Sequence, residues 1–194
     1  SNLQPQGNQY KWFDTAANNV PLASTTSLVS GNYFVKEVNS ITGCESSLST
    51  ISVVINITPQ INSAIVAIAP ICQGSDVNVN FTTGTTNLTD GSYDILYNLS
   101  GSNVATAVST ILNVTSGIPT FVINSSLIPK AGNTTIAITN ITNVLTHCTN
   151  ISTLSKSFVV NATPDISNMV VTVKDACLGQ DLNIGLKGLL NLTN

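Results

Sequence analysis

Val77-Asn78-Val79-Asn80-Phe81 is the stretch that decides the fold, because apolar and polar residues alternate along it. An extended strand turns successive side chains to opposite faces, so Val77, Val79 and Phe81 share one face. The same alternation returns in the apolar residues Tyr93, Ile95, Tyr97 and Leu99. Strands with one apolar face are typical of a sheet that packs on a core.

Turn residues such as Asp90-Gly91 and Ser116-Gly117 separate these runs. The patterns predict about seven strands, near 61–68, 75–82, 92–99, 104–114, 118–124, 132–142 and 151–162. About seven short strands in about 100 residues favour an immunoglobulin-like β-sandwich. We therefore predict an all-β fold, and we expect Trp12 to be a core residue of the third strand of such a unit rather than a sugar-stacking residue.

An internal repeat runs through the chain. Thr58–Ile61 returns as Thr163–Ile166, 105 residues later, and Cys72–Val79 returns as Cys177–Ile184 at the same offset. With one residue removed, the triplet at Asn87 returns at Asn191. Self-similarity at a long fixed period indicates an array of units.

The repeat predicts three pieces, with a Thr-Pro pair at each of the two joints, where proline fixes φ and stiffens the connection. Residues 1–57 are the C-terminal part of one unit, residues 58–162 are a complete unit, and residues 163–194 open a third. Because the chain begins and ends inside units, we expect it to be part of a longer chain, held by another protein such as its export machinery.

Composition excludes several functions. Among 194 residues only 15 are charged, none of them Arg, and the net charge is −3, which gives nucleic acid almost no electrostatic basis for binding. Asn, Ser and Thr number 24, 22 and 25, so hydroxyls and amides keep the surface soluble. The longest apolar run, Ala64–Cys72, is too short for a membrane span and contains Pro70. We expect no membrane insertion, and any export signal would lie outside this segment.

The four cysteines follow the repeat. Each whole unit has one cysteine before its second strand and one after its sixth, so we predict a Cys72–Cys148 disulfide. Cys44 and Cys177 would then have partners outside the segment. Disulfides imply an oxidising, extracellular compartment. Buried free thiols are an alternative; a metal site that includes His147 is disfavoured because no spacing fits zinc.

No motif indicates catalysis. His147 stands beside Cys148, but a nucleophile and its base meet in the fold, not in sequence, so adjacency is no evidence. Asp90-Gly91 is read as a turn rather than a calcium loop. Asp76 and Asp181 recur at equivalent positions and are expected to serve the fold at a strand start. We predict no catalytic residue, no metal and no cofactor, and hence no enzyme.

Several motifs resemble a known family. Ile71–Val77 resembles the "Cys-x-Gly-x-x-Val" opening of immunoglobulin-like repeats in very large surface proteins of Bacteroidota. Tyr10–Phe13, Ser30–Val35 and Gly43-Cys44 are similar to the "Tyr-x-Trp", "Gly-x-Tyr-x-Val" and "Gly-Cys" signatures of the same repeats. Asp90–Gly101 is similar to the longer repeat type of gliding-motility adhesins. The complete unit departs from the pattern, since it lacks the tryptophan and the glycine before Cys148.

The resemblance implies export by the type IX secretion system, exposure on the cell surface, and adhesion to polysaccharide or a substratum through other parts of the chain. Asp14-Thr15-Ala16 looks like the O-glycosylation signal of that phylum, which makes Thr15 a candidate site. The expected function is an extracellular stalk segment linked to gliding or surface attachment. The alternative is a carbohydrate-binding module of a secreted hydrolase.

Overall fold

The computed structural model describes residues 9–188, and over that range the chain is all-β, as predicted. It contains fourteen strands there and one 3-10 helix at Ser125–Leu127. None of the helical structure within 9–188 is long and apolar enough to cross a membrane. The contacts divide the chain into two compact units, Ser1–Ile57 and Thr58–Asn194. The finer division into three repeats stays a prediction.

The first unit contains one antiparallel sheet in the order β1-β2-β3, with strands at Tyr10–Phe13, Gly31–Glu37 and Ser49–Val53. Trp12 lies opposite Val35 in the register of β1 and β2. The side chains of Trp12 and Tyr33 are each 6% exposed and form a small core with Leu22 and Leu28. The prediction that Trp12 is a core residue is confirmed.

The second unit contains a nine-stranded sheet. Its strands follow the order β4-β6-β9-β8-β7-β10-β12-β5, with β11 paired to β10. The short β5 runs parallel to β12, and all the other pairs are antiparallel. The strands are β4 Val66–Ala67, β5 Ile71–Cys72, β6 Val77–Phe81, β7 Gly91–Gly101, β8 Ala105–Thr115, β9 Ile118–Ile123, β10 Gly132–Asn143, β11 Thr149–Ile151 and β12 Ser155–Asn161.

Alternation along these strands builds one core. In β6 the three apolar side chains are buried and the two asparagines are exposed, as the decisive stretch predicts. The rings of Tyr97 in β7 and Phe121 in β9 lie with centroids 5.9 Å apart. Because β8 separates these two strands in the hydrogen-bonded order, the ring contact means that the sheet folds over a shared core. The arrangement is β-sandwich-like.

The predicted strands agree with the structure in their centres and differ at the ends of the unit. The first predicted strand, 61–68, shortens to β4, and β5 follows it unpredicted at the edge beside β12. The last predicted strand, 151–162, is interrupted between β11 and β12. There Ser152 donates its N–H to Thr139 O, and its hydroxyl accepts from Leu154 N, so a buried serine ends the pairing.

A buried tyrosine fixes one corner in each unit. The Tyr33 hydroxyl donates to Val29 O at 3.2 Å and accepts from Val29 N at 3.0 Å. In the second unit the Tyr93 hydroxyl donates to Thr89 O and accepts from Thr89 N, each at 3.1 Å. Each phenol thereby satisfies the backbone of the residue four positions before it, which fixes the path of the chain into the strand.

An asparagine takes this role at the start of β10. The Asn103 side chain accepts from Lys130 N at 2.9 Å and donates to Lys130 O at 2.8 Å. It also donates to the Thr134 hydroxyl at 2.8 Å. Lys130 precedes Thr134 by four residues, just as Val29 precedes Tyr33. Asn103 is 2% exposed and Thr134 is fully buried, so the bond between them is made away from water.

A separate antiparallel hairpin closes the described chain, with β13 at Val170–Val173 and β14 at Ile184–Lys187. Val171 pairs with Leu186 there, and Val66 pairs with Phe81 in the second unit's β4–β6 hairpin, 105 residues earlier. The two hairpins therefore share one register.

Candidate functional site

The segment that opens the second unit is held by side-chain amides. Pro59 is buried although both of its neighbours are exposed. The Asn87 side chain donates to Thr58 O at 3.0 Å and accepts from Gln60 N at 2.6 Å. One amide from the loop after β6 therefore fixes the backbone on both sides of the proline. The opening segment is therefore held to its own unit by this clamp, and the proline ring fixes its φ.

A second clamp reaches the same segment from β11. The Asn150 side chain donates to Pro59 O at 2.9 Å, and Asn62 accepts from Thr153 N at 3.0 Å. These bonds join residues 91 positions apart in sequence. Force applied to the opening segment is thus transmitted to the strands near the C-terminal end of the unit.

The closing end of the unit is tied by β5. Ile71 and Cys72 pair in parallel with Val160 and Asn161 at the end of β12. Gln73 extends this pairing by donating its N–H to Asn161 O at 2.8 Å. A pull on the two ends of the unit in opposite directions loads this parallel pair in shear, so that all of its hydrogen bonds resist together.

A six-residue turn occurs in both units with the same hydrogen bonds. At Asn39–Cys44 and at Asn143–Cys148, the asparagine N–H donates to the cysteine carbonyl at 2.9 Å. In each turn the asparagine Oδ1 accepts from the second and third residues after it. The fifth residue has positive φ, 73° at Gly43 and 56° at His147. The second unit departs from the glycine pattern here by placing a histidine in a left-handed conformation.

The predicted Cys72–Cys148 disulfide is contradicted. All four cysteines are free. Cys72 pairs with Asn161 at the end of β12, and the preceding residue, Val160, pairs with the first residue of β10, so Cys72 lies near the start of β10. Cys148 lies at the other end of β10, because its carbonyl accepts from the N–H of Asn143, the last residue of that strand. Eleven steps of about 3.3 Å along a strand separate these ends by roughly 36 Å, and a disulfide needs Cα atoms within about 7 Å. The repeat spacing gives the positions of the cysteines along the chain, but it does not show that Cys72 and Cys148 lie at opposite ends of the sheet.

The other predicted residues have mainly structural contacts. The Asp90 carboxylate accepts from Ser116 N at 3.0 Å and Gly117 N at 2.8 Å, which fixes the β8–β9 turn. Asp76 accepts from Ser125 N at 2.7 Å. Within the described range, no three His, Cys, Asp or Glu side chains are grouped to hold a metal ion.

Thr15 lies in an exposed turn after β1, between exposed Asp14 and exposed Ala16. Asn18 donates its N–H to Thr15 O at 3.3 Å and its side-chain amide to the Asp14 carboxylate at 2.9 Å. These bonds leave the threonine hydroxyl outside the packed sheet, where a modifying enzyme could reach it. Cys177, the predicted partner of a cysteine outside the segment, is also exposed.

Charge is concentrated at one place in the first unit. Lys11 and Lys36 each contact one oxygen of the Glu45 carboxylate, Lys36 at 3.2 Å. The hydrogen bonds from Lys11 and then Lys36 lower the pKa of Glu45 below its ordinary value. In the second unit burial raises the pKa of Tyr97, and hydrogen bonds from Ser167 lower the pKa of Asp165.

Sequence reasoning missed the two asparagines that matter most, Asn87 and Asn103. The return of Asn87 at Asn191 was a usable signal for the first, although Asn191 lies outside the described residues. Asn103 carried no such signal.

Comparison with protein families and with curated proteins finds no match for this chain.

Proposed function

We propose that the chain is a load-bearing segment of an extracellular stalk, built from tandem immunoglobulin-like repeats and belonging to a cell-surface adhesin of the gliding-motility type. On this proposal it is exported by the type IX secretion system, with contacts to polysaccharide or a substratum made elsewhere in the adhesin. The carrying observation is the clamp of Asn87 around Pro59, which ties the segment that opens a unit to that unit's own loops.

Strand order supports the immunoglobulin-like assignment. An immunoglobulin sandwich places strands A, B, E and D in one sheet and C, F and G in the other. The order β4-β6-β9-β8 followed by β7-β10-β12 is that order when the strands are named in sequence. The hydrogen-bonded pair β7–β8 joins the group that corresponds to strands A, B, E and D to the group that corresponds to C, F and G, so both belong to one continuous hydrogen-bonded sheet.

Matching hydrogen bonds support the repeat. Gly74 and Gly179 have φ of 84° and 87°, and Gly84 and Gly188 have φ of 78° and 82°. Ser75 donates its N–H to Cys72 O, and Gln180 donates its N–H to Cys177 O. Segments 104 or 105 residues apart therefore adopt the same turns, as an array of similar units requires.

The carbohydrate-binding alternative is not favoured by any contact. Sugar-binding modules present an exposed aromatic platform, whereas the aromatic side chains within residues 9–188 are all buried or half-buried. We therefore keep the stalk as the single proposed function.

Single-molecule stretching of the whole chain tests the load-bearing role. Unfolding of residues 58–162 should give one force peak and a contour-length gain of about 380 Å, at about 3.6 Å per residue before subtracting the folded length. Gln73→Pro removes the N–H that donates to Asn161 and should lower the peak force. Gln73→Ala keeps that N–H and is the matched control. Extension without a force peak would contradict a load-bearing role.

Surface exposure needs its own test. An antibody raised against the chain should label intact cells of the organism that encodes it, before any permeabilisation. Labelling that requires permeabilised cells would overturn the extracellular location while leaving the mechanical result intact.

A further inference from the structure

The long strand β8 of the second unit has an edge that no strand covers. β7 pairs with one side of β8 along almost its whole length, but β9 pairs with the other side only at 113–115. Within residues 9–188 no further strand joins that second side. The open edge therefore runs along residues 108–112, from the bulge at Ala107, where φ is 53°, to the last pair with β9.

The backbone of this edge offers hydrogen-bonding groups to a partner. Val144 donates its N–H to Ser92 O at 3.1 Å, so Ser92 bonds on the β10 side of β7 and its partner Asn113 bonds to β9. Alternate residues of an antiparallel strand direct their N–H and C=O groups to the same side. Ser109 and Ile111 precede Asn113 at intervals of two residues, so their N–H and C=O groups point to the open edge.

A groove of about 330 Å³ adjoins the open edge. Asn113 and Thr120 form the last pair between β8 and β9, and the same register would next place Ile111 opposite Val122. The strands have separated there, and both of these side chains line the groove. Ile111 is 43% exposed and Val122 is 45% exposed. A strand added to β8 would thus cover aliphatic surface as well as bond to the backbone.

The composition of β8 indicates what can pair with it. Sheets usually protect an edge with charged residues, with proline or by making the edge strand short. The end strands β4 and β5 are two residues long, whereas β8 has eleven residues, none of them charged and none of them proline. A second copy supplies an edge of the same length and the same lack of charge, so two such edges approach without like-charge repulsion. Antiparallel pairing of identical strands is self-complementary about a two-fold axis.

We propose that two copies of this chain associate through β8, with the two open edges paired antiparallel about a two-fold axis near Thr110. Ser109 of each copy lies opposite Ile111 of the other, and the two residues exchange N–H···O=C bonds. The contact joins two sheets into one, which is a general way for a sheet to recruit an extended strand. This inference goes beyond the stalk function, because it concerns sideways assembly of chains.

Sedimentation velocity of the full chain over a wide concentration range tests the contact. A reducing agent is included, because the four cysteines are free and at least partly exposed. The unaltered chain should show a monomer–dimer equilibrium. Ser109→Pro removes an N–H that points away from β7, so the strand keeps its pairing while the dimer loses two bonds, and association should weaken at least about 10-fold. Ser109→Ala keeps that N–H and is the matched control.

Charged variants test the two-fold geometry without proline. Ser109 is exposed, so Ser109→Lys and Ser109→Glu should both fold, which circular dichroism checks. The two side chains at 109 lie diagonally across the axis, about 7–8 Å apart. Each variant alone should therefore be monomeric at low salt, and an equimolar mixture should form a 1:1 dimer that added salt weakens.

Three results would overturn the proposal. One is a chain that stays monomeric at every concentration, and another is association that Ser109→Pro and both charged variants leave unchanged. The third is a mixture of the Lys and Glu variants that fails to pair. The force peak expected on stretching a single chain depends on none of these results, so the load-bearing role is tested separately.

Discussion

The Asn103 network provides the strongest test of how the second unit is held together. Asn103→Ala removes three hydrogen bonds of 2.8–2.9 Å, two to the backbone of Lys130 and one to the hydroxyl of Thr134. The bond to the Thr134 hydroxyl is buried, so that hydroxyl loses its partner without free access to water, whereas the two bonds to Lys130 are partly buried. At about 1 kcal/mol for each bond, we expect the free energy of unfolding to fall by about 3 kcal/mol.

Urea denaturation measures this loss for each unit separately. With an m-value of about 1.5 kcal/mol/M, the midpoint for the second unit should fall by about 2 M urea. Circular dichroism follows the sheet, while the fluorescence of Trp12, the single tryptophan, reports on the first unit alone. The Trp12 transition should therefore stay where it was.

The matched control is Asn78→Ala. Asn78 is exposed on β6, and its side chain has no hydrogen-bond partner among the described residues, so we expect a change within about 0.5 kcal/mol. If Asn103→Ala shifts the midpoint no further than Asn78→Ala does, the buried network contributes no stability and the reasoning is refuted.

Three further predictions concern the turns, the charges and the thiols. His147→Gly should stabilise the second unit by about 1 kcal/mol in thermal or urea unfolding, because glycine adopts positive φ without strain; a loss of stability would show that the imidazole has a contact of its own. The pKa of Glu45 is lowered in the folded chain, so this carboxylate stabilises the first unit above its ordinary pKa of about 4.5, and that stabilisation is lost as pH falls through the lower folded value. Glu45→Gln should therefore remove this pH dependence from the urea midpoint that Trp12 fluorescence reports. Iodoacetamide should alkylate all four cysteines of the folded chain, with Cys148 slowest because it is partly covered; a resistant pair in intact-mass spectra would contradict the free thiols.

The sequence predicted what depends on local pattern. The alternation in Val77–Phe81 places the same three side chains in the core that the structure does, because period two in an extended strand leaves no choice of face. The prediction for Trp12 rested instead on the core tryptophan that immunoglobulin-like domains carry in their third strand. The repeat also matched Cys72–Val79 with Cys177–Ile184, and the structure gives positive φ to the equivalent glycines Gly74 and Gly179.

What the sequence did not predict depends on which parts of the chain meet. The cysteine spacing is periodic, but only the register of β10 with β12 reveals that Cys72 and Cys148 lie at opposite ends of the sheet. Asn103 is one of 24 asparagines, and nothing local distinguishes an exposed turn residue from one that satisfies a backbone 27 positions away. Edge strand β5 was missed because two residues carry no periodicity.

The scarcity of charge has a consequence for the medium in which such a chain can work. The two ion pairs found within residues 9–188 both end on Glu45, in the first unit. The described part of the second unit contains no ion pair and is held mainly by apolar burial and by hydrogen bonds between uncharged groups, neither of which dissolved salt screens. The carboxylates of Asp76 and Asp90 accept hydrogen bonds from backbone N–H groups there. The free energy of unfolding of this unit should therefore change little between fresh water and sea water. A strongly hydrated salt such as sulfate should raise that free energy of unfolding, since ions excluded from the protein surface favour burial of apolar surface.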